Sequence, residues 1–124
     1  MSTQAIILFA HGARDPDWAL PFLIIKKQVQ AARPDVYVEL AFQDFMTPAL
    51  EAAVGQAAAQ GAKRAVVAPL FMARGSHIEQ DLPRMLGILR EQYPGIEITA
   101  LSAIGDAPEI LQAVTNWVLG ATPG

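Results

Sequence analysis

Ala5-Ile6-Ile7-Leu8-Phe9-Ala10 is apolar at every position, and it runs straight into His11-Gly12-Ala13-Arg14. A short run with no polar alternation is the pattern of a β-strand covered on both faces, as in parallel sheets. Three further short strand-like runs follow: Val36-Tyr37-Val38-Glu39-Leu40-Ala41-Phe42, Ala65-Val66-Val67-Ala68-Pro69 and Ile96-Glu97-Ile98-Thr99-Ala100.

Longer stretches with helical spacing separate them. Trp18, Phe22, Ile25, Val29 and Ala32 recur at intervals of three and four, with Pro21 suited to a first turn and Pro34 to a stop. Thr47-Pro48 reads as the cap and first residue of a second helix that ends at Gly61. The third helix carries Leu82, Met85, Leu86 and Leu89. Its start has two readings, a capping box at Ser76 with Glu79 or a start at Asp81 with Pro83. Asp81 is favoured, because Pro83 would interrupt a helix already running from His77. Asp106 with Glu109 marks the last helix, whose Ile110, Leu111, Val114, Trp117 and Val118 share a face.

Strict strand–helix alternation predicts an α/β fold: one domain over residues 1–124, with a small four-stranded parallel sheet and helices on both faces. The expected strand order is the flavodoxin-like 2-1-3-4. The halves echo each other, since Pro48-Ala49-Leu50 leads to Ala53-Val54 and, sixty positions later, Pro108-Glu109-Ile110 leads to Ala113-Val114.

The composition narrows the function. The 124 residues include no cysteine, which removes disulfides, thiolate metal sites and cysteine nucleophiles. A net charge of −3 argues against a nucleic-acid surface. The longest apolar stretch, Ala65 to Ala73, contains Pro69 and falls well short of the ~20 residues that span a bilayer. Met1-Ser2-Thr3-Gln4 has no basic leader, so the cytoplasm is the expected location.

Both histidines fall just after strands, His11 after the first and His77 after the third. Parallel sheets bind ligands outside the carboxyl ends of their strands, where strand order reverses, and for 2-1-3-4 that point lies between strands one and three. His11 and His77 are therefore expected to face each other across one cleft. Asp44, 33 positions from each, follows the second strand and is expected to line the same cleft. Two imidazoles and a carboxylate suit iron, cobalt or nickel. Glu79 and Asp81 are rival carboxylates. Arg14 and Arg74 lie in the same loops and, with Ser76, are candidates for gripping an anionic ligand. Met46, Phe71 and Met72 suit an apolar floor or the core. No Gly-x-Ser-x-Gly elbow, Walker loop or Gly-x-Gly-x-x-Gly follows a strand. A histidine phosphatase would have arginine immediately before the histidine, where this chain has Ala10.

Together these segments resemble the small CbiX-type chelatases, single-domain relatives of the sirohydrochlorin chelatases. The resemblance rests on Ala10-His11-Gly12-Ala13-Arg14-Asp15-Pro16, on Phe42-Gln43-Asp44 with Pro48-Ala49-Leu50, and on Val67-Ala68-Pro69-Leu70-Phe71-Met72 leading to Gly75-Ser76-His77 and Asp81-Leu82-Pro83. It implies insertion of a divalent metal, usually cobalt, into sirohydrochlorin on the route to cobalamin, with no organic cofactor. Iron insertion for siroheme and nickel insertion are the alternatives within the family. His11 and His77 match its metal-handling histidines, while Asp44 stands where relatives often carry glutamate. The chemistry needs bases near the metal's path, because the macrocycle loses two pyrrole protons, and neutral imidazoles serve both purposes. A metal-delivery module and a tetrapyrrole-binding protein without turnover are the rival readings. A broad, flat tetrapyrrole needs two walls and one such domain offers one, so a homodimer is expected.

Overall fold

The computed structural model describes residues 3–72 and 76–124, and the side chains of all of these except 76–80. Strands β1 (Gln4–Ala10), β2 (Tyr37–Phe42), β3 (Arg64–Pro69) and β4 (Glu97–Ala100) alternate with helices α1 (Leu20–Ala32), α2 (Leu50–Ala59), α3 (Ser76–Gln92) and α4 (Pro108–Ala121). Short 3-10 turns at Pro16–Ala19 and Ile104–Asp106 precede α1 and α4. The sheet is parallel throughout, in the expected order β2-β1-β3-β4.

Register assigns each residue to a face. Ile6 pairs with Val38 and Val66, and Val66 with Thr99; Ile7 pairs with Val67, and Val67 with Ala100. One face buries Leu8, Val38, Leu40 and Phe42 beneath Trp18, Phe22 and Val29. The other buries Ile7, Phe9, Val67 and Ile98 against Leu50 and Val54 of α2 and Leu86 and Leu89 of α3.

α1 is turned relative to the expected face. Ile25 and Ala32 are exposed, and Phe22, Lys26, Val29 and Gln30 point inward. Polar anchors set this rotation. Gln30 Nε2 donates to the Arg33 and Val36 carbonyls, its Oε1 accepts from the Val38 amide, and Lys26 pairs with Glu39 at 3.2 Å.

Three expected helix starts move. α2 begins at Leu50 with no side-chain cap, so Thr47 and Pro48 do not start it. That segment instead continues alongside β2, where the Phe42 amide donates to the Pro48 carbonyl and Phe42 bridges to Ala49. α3 begins at Ser76, not Asp81, with Pro83 inside it. Pro83 lacks the N–H that would meet a carbonyl one turn back, an interior defect of about 3 kcal/mol. Buried Leu86 and Leu89 hold the helix to the core despite it. α4 has no side-chain cap, and Asp106 lies in the preceding 3-10 turn. No residue of α4 is buried.

Candidate functional site at the carboxyl ends of β1 and β3

The strand ladder runs past the ends of β1 and β2. The Gln43 amide donates to the Ala10 carbonyl and the Asp44 amide to the His11 carbonyl, both at 2.9 Å, while the Leu70 amide donates to Phe9 at 2.8 Å. Gly12 makes this possible. It has φ +88°, and a Cβ there would run into the Asp44 carbonyl, so only glycine lets the two loops approach so closely.

This fastening fixes the main chain of His11 and leaves its side chain exposed. The imidazole lies against Phe71, with ring centroids 4.2 Å apart and planes at 53°. Phe71 is 1% exposed and meets Phe9 edge-on at 5.5 Å, so a core aromatic forms the wall behind the histidine. His11 Nδ1 lies 3.2 Å from Gln43 Oε1. An amide oxygen only accepts, so the pairing places the proton on Nδ1 and leaves the lone pair on Nε2.

The adjacent rim is built by the same two loops. Asp44 is exposed, and Phe45 follows it in the left-handed region at φ 68° with its ring 65% exposed. The Arg14 guanidinium sits over that ring, 5.1 Å from its centroid. Beyond Phe71 opens a cleft of about 480 Å³ between α3 and the ends of β3 and β4, lined by Leu82, Leu86, Arg90, Leu101, Ser102 and Asp106 among others. Phe71 thus touches His11 and also lines the cleft.

The structure brings His11, Asp44 and Arg14 together at one end of the sheet. Arg74 lies outside the described residues. Ser76 and His77 occupy the first turn of α3, after β3, and their side chains lie outside the described residues; so does the expected pairing of His11 with His77. Among the described residues no three His, Asp or Glu side chains form a metal-binding group. Asp81, a rival carboxylate, pairs with Arg84 at 3.1 Å. Sequence reasoning missed Gln43, although Ala10 pairs with Phe42 and the next step of the register is His11 beside Gln43. It also missed the β4 loop, where Ser102 and Asp106 wall the cleft.

The sequence matches the CbiX family model over residues 5–120. The chain belongs to the CbiX family. This CbiX chain is 35% identical over 119 residues to a protein of Saccharolobus solfataricus named sirohydrochlorin cobaltochelatase, covering 91% of each. It is 33% identical over 90 residues to a Methanocaldococcus jannaschii protein of the same name, covering 73% of this chain and 63% of that one. It therefore spans less than two thirds of the latter relative. Among solved structures, the CbiX protein of Marinobacter aquaeolei superposes with a TM-score of 0.82 at 29% identity, covering 94% of this chain and 95% of that chain. The sirohydrochlorin chelatase SirB of Bacillus subtilis subspecies spizizenii, solved with cobalt, superposes with a TM-score of 0.75 at 26% identity. That match covers 98% of the CbiX chain but 51% of SirB, so the chain corresponds to half of the larger protein.

Proposed function

We propose that this chain is a sirohydrochlorin cobaltochelatase, inserting Co²⁺ into the macrocycle with release of two pyrrole protons. The observation that carries the reading is the exposed His11 imidazole, its Nδ1 engaged by Gln43 and its Nε2 open, at the carboxyl end of a central strand in a CbiX-family fold. Relatives named for this activity support the choice of cobalt and of tetrapyrrole.

In the reaction, Nε2 of His11 meets the incoming metal ion as a neutral donor and takes up a proton as the macrocycle gives one up. Phe71 blocks one face of the ring and limits its tilt. The second donor and base is His77, with Asp44 as an auxiliary carboxylate. Arg14, Arg74 and Ser76 hold the carboxylate rim of the tetrapyrrole, for which guanidinium forks are well matched. The metal is a substrate that leaves with the product. The working unit is a homodimer, a reading supported by the correspondence to half of SirB. The cysteine-free composition fits a reducing cytoplasm. No helix among the described residues is long and apolar enough to cross a membrane.

The test is insertion of Co²⁺ into sirohydrochlorin under anaerobic conditions, followed by the absorption change against a control without protein, with Fe²⁺ and Ni²⁺ in parallel. Acceleration with Co²⁺ is expected. Cobalt binding without turnover would point to a delivery module, and tetrapyrrole binding without turnover to a carrier; either result overturns the enzyme.

A further inference from the structure

Phe45 combines an exposed ring with a strained backbone. Among the described residues it is the one non-glycine with positive φ, at 68°. Asparagine, aspartate and glycine take that conformation readily, whereas a bulky side chain there is a genuine outlier. The Met46 amide donates across it to the Asp44 carbonyl at 2.8 Å, so the chain reverses within three residues. Such a turn is rare and strained when its central φ is positive. The two apolar side chains part at this point. Met46 packs against the cluster beneath α1, while Phe45 joins neither buried cluster and stays 65% exposed. Core packing therefore does not account for an aromatic residue here.

The surroundings of the ring narrow what it serves. Its turn starts at Asp44, whose amide is bonded to the His11 carbonyl and whose own carbonyl sits on Gly12 too closely for any Cβ. The ring is thus anchored one residue from the fastening that fixes the histidine. The Arg14 guanidinium lies over one face, 5.1 Å from the centroid. An aromatic ring braced on one face by a cation offers its other face as a flat apolar surface. Among the described residues no carboxylate pairs with Arg14, so its N–H donors are available beside that surface. A flat apolar plate bordered by a guanidinium matches a planar conjugated ring system with carboxylates on its periphery.

We propose that Phe45 is a binding residue that stacks on the face of the tetrapyrrole, with Arg14 bracing the ring from behind and reaching carboxylate arms that extend past its edge. This rests on the chelatase reading above and names the residue that orients the plane of the macrocycle beside His11. Backbone strain persists where the surrounding structure holds it, and the close contact of Gly12 with Asp44 does so here. The turn keeps the ring out of the core and at the rim. A more relaxed residue at this position would remove the plate.

The test titrates metal-free uroporphyrin, a flat polycarboxylate macrocycle, into the unmodified chain and its Phe45 variants by fluorescence, with melts and cobalt-insertion kinetics on the same preparations. Phe45→Ala should weaken binding about three- to tenfold, the effect of one aromatic stack, and Phe45→Trp should retain it. In the insertion assay the same loss should raise the KM for sirohydrochlorin and leave kcat nearly unchanged. Phe45→Asn separates binding from packing, because asparagine relaxes at this φ. Its Tm should rise by a few degrees while its affinity falls as in Phe45→Ala. A lower Tm in Phe45→Asn would make the ring structural and overturn the proposal. Unchanged affinity and KM in Phe45→Ala would also overturn it, while continued cobalt insertion leaves the chelatase reading standing. Where uroporphyrin is not bound, the KM comparison alone decides. An unmodified chain that neither binds the macrocycle nor inserts cobalt overturns both.

Discussion

The imidazole of His11 and the ring of Phe71 meet with centroids 4.2 Å apart, so an exposed imidazole leans on a residue that is itself 1% exposed. The site and the core share this one ring. Phe71→Ala is expected to lower unfolding stability by about 3–5 kcal/mol, because it removes a filled core volume. Urea denaturation checks this, and a loss below about 1 kcal/mol would show that the ring is not structural.

His11→Ala should do the reverse. The side chain is exposed, so stability should stay within about 0.5 kcal/mol, while cobalt insertion is abolished. Thermal melts and the insertion assay on one preparation separate the two effects. Full turnover by a folded His11→Ala chain would remove His11 from the mechanism.

Gln43 is a positioning residue, since it acts through the His11 ring. Gln43→Leu keeps the bulk and removes the acceptor, and a ten- to hundredfold loss in kcat or metal affinity is expected, as for other partners that orient a ligating histidine. Gln43→Glu restores an acceptor and should recover activity, with the acidic limb of the pH profile moved upward because a carboxylate favours the imidazolium. Equal losses in both variants would indicate a merely structural role.

Arg14, held over Phe45 at the rim, is expected to grip substrate and not to take part in proton transfer. Arg14→Ala should raise the KM for sirohydrochlorin with little change in kcat. An unchanged KM would return Arg14 to the solvated surface.

Tyr37 gives a prediction far from the site. Burial, reinforced by the nearby charge of Glu39 and a hydrogen bond to it, raises its hydroxyl from 10.0 to about 12. The folded chain therefore keeps this proton while the unfolded chain loses it. The contribution to stability is complete below pH 10 and is lost as pH rises towards 12. Tyr37→Phe should flatten the fall in stability across that window, and an unchanged slope would refute the assignment.

Much of this architecture was legible because local and global signals agree. Continuous apolar runs such as Ala5–Ala10 have one favourable environment, the interior of a parallel sheet. Strict alternation with helices then left the order 2-1-3-4 as the expected topology. Helix starts were less legible, since Thr47 and Asp106 carry capping chemistry but lie outside the helices, Thr47 before the Pro48–Ala49 extension alongside β2 and Asp106 in a 3-10 turn. Pro83 misled for a related reason, as tertiary packing outweighed a local penalty. At the site, His11, Asp44 and Arg14 followed from strand-end position alone. Gln43 required register, and Ser102 and Asp106 required knowing that the β4 loop reaches the end of β3, which no local pattern encodes.

β1 is bonded along both edges, to β2 and to β3, and the amides of Gln43 and Asp44 extend that fastening to the carbonyls of Ala10 and His11. Such a strand opens only when the whole sheet does. Any ion or macrocycle that binds His11 in the folded chain therefore draws on global unfolding and not on the melting of a loop. Any rise in Tm on adding cobalt or a metal-free porphyrin is then a direct gauge of occupancy, so affinities can be ranked by calorimetry before any turnover is measured.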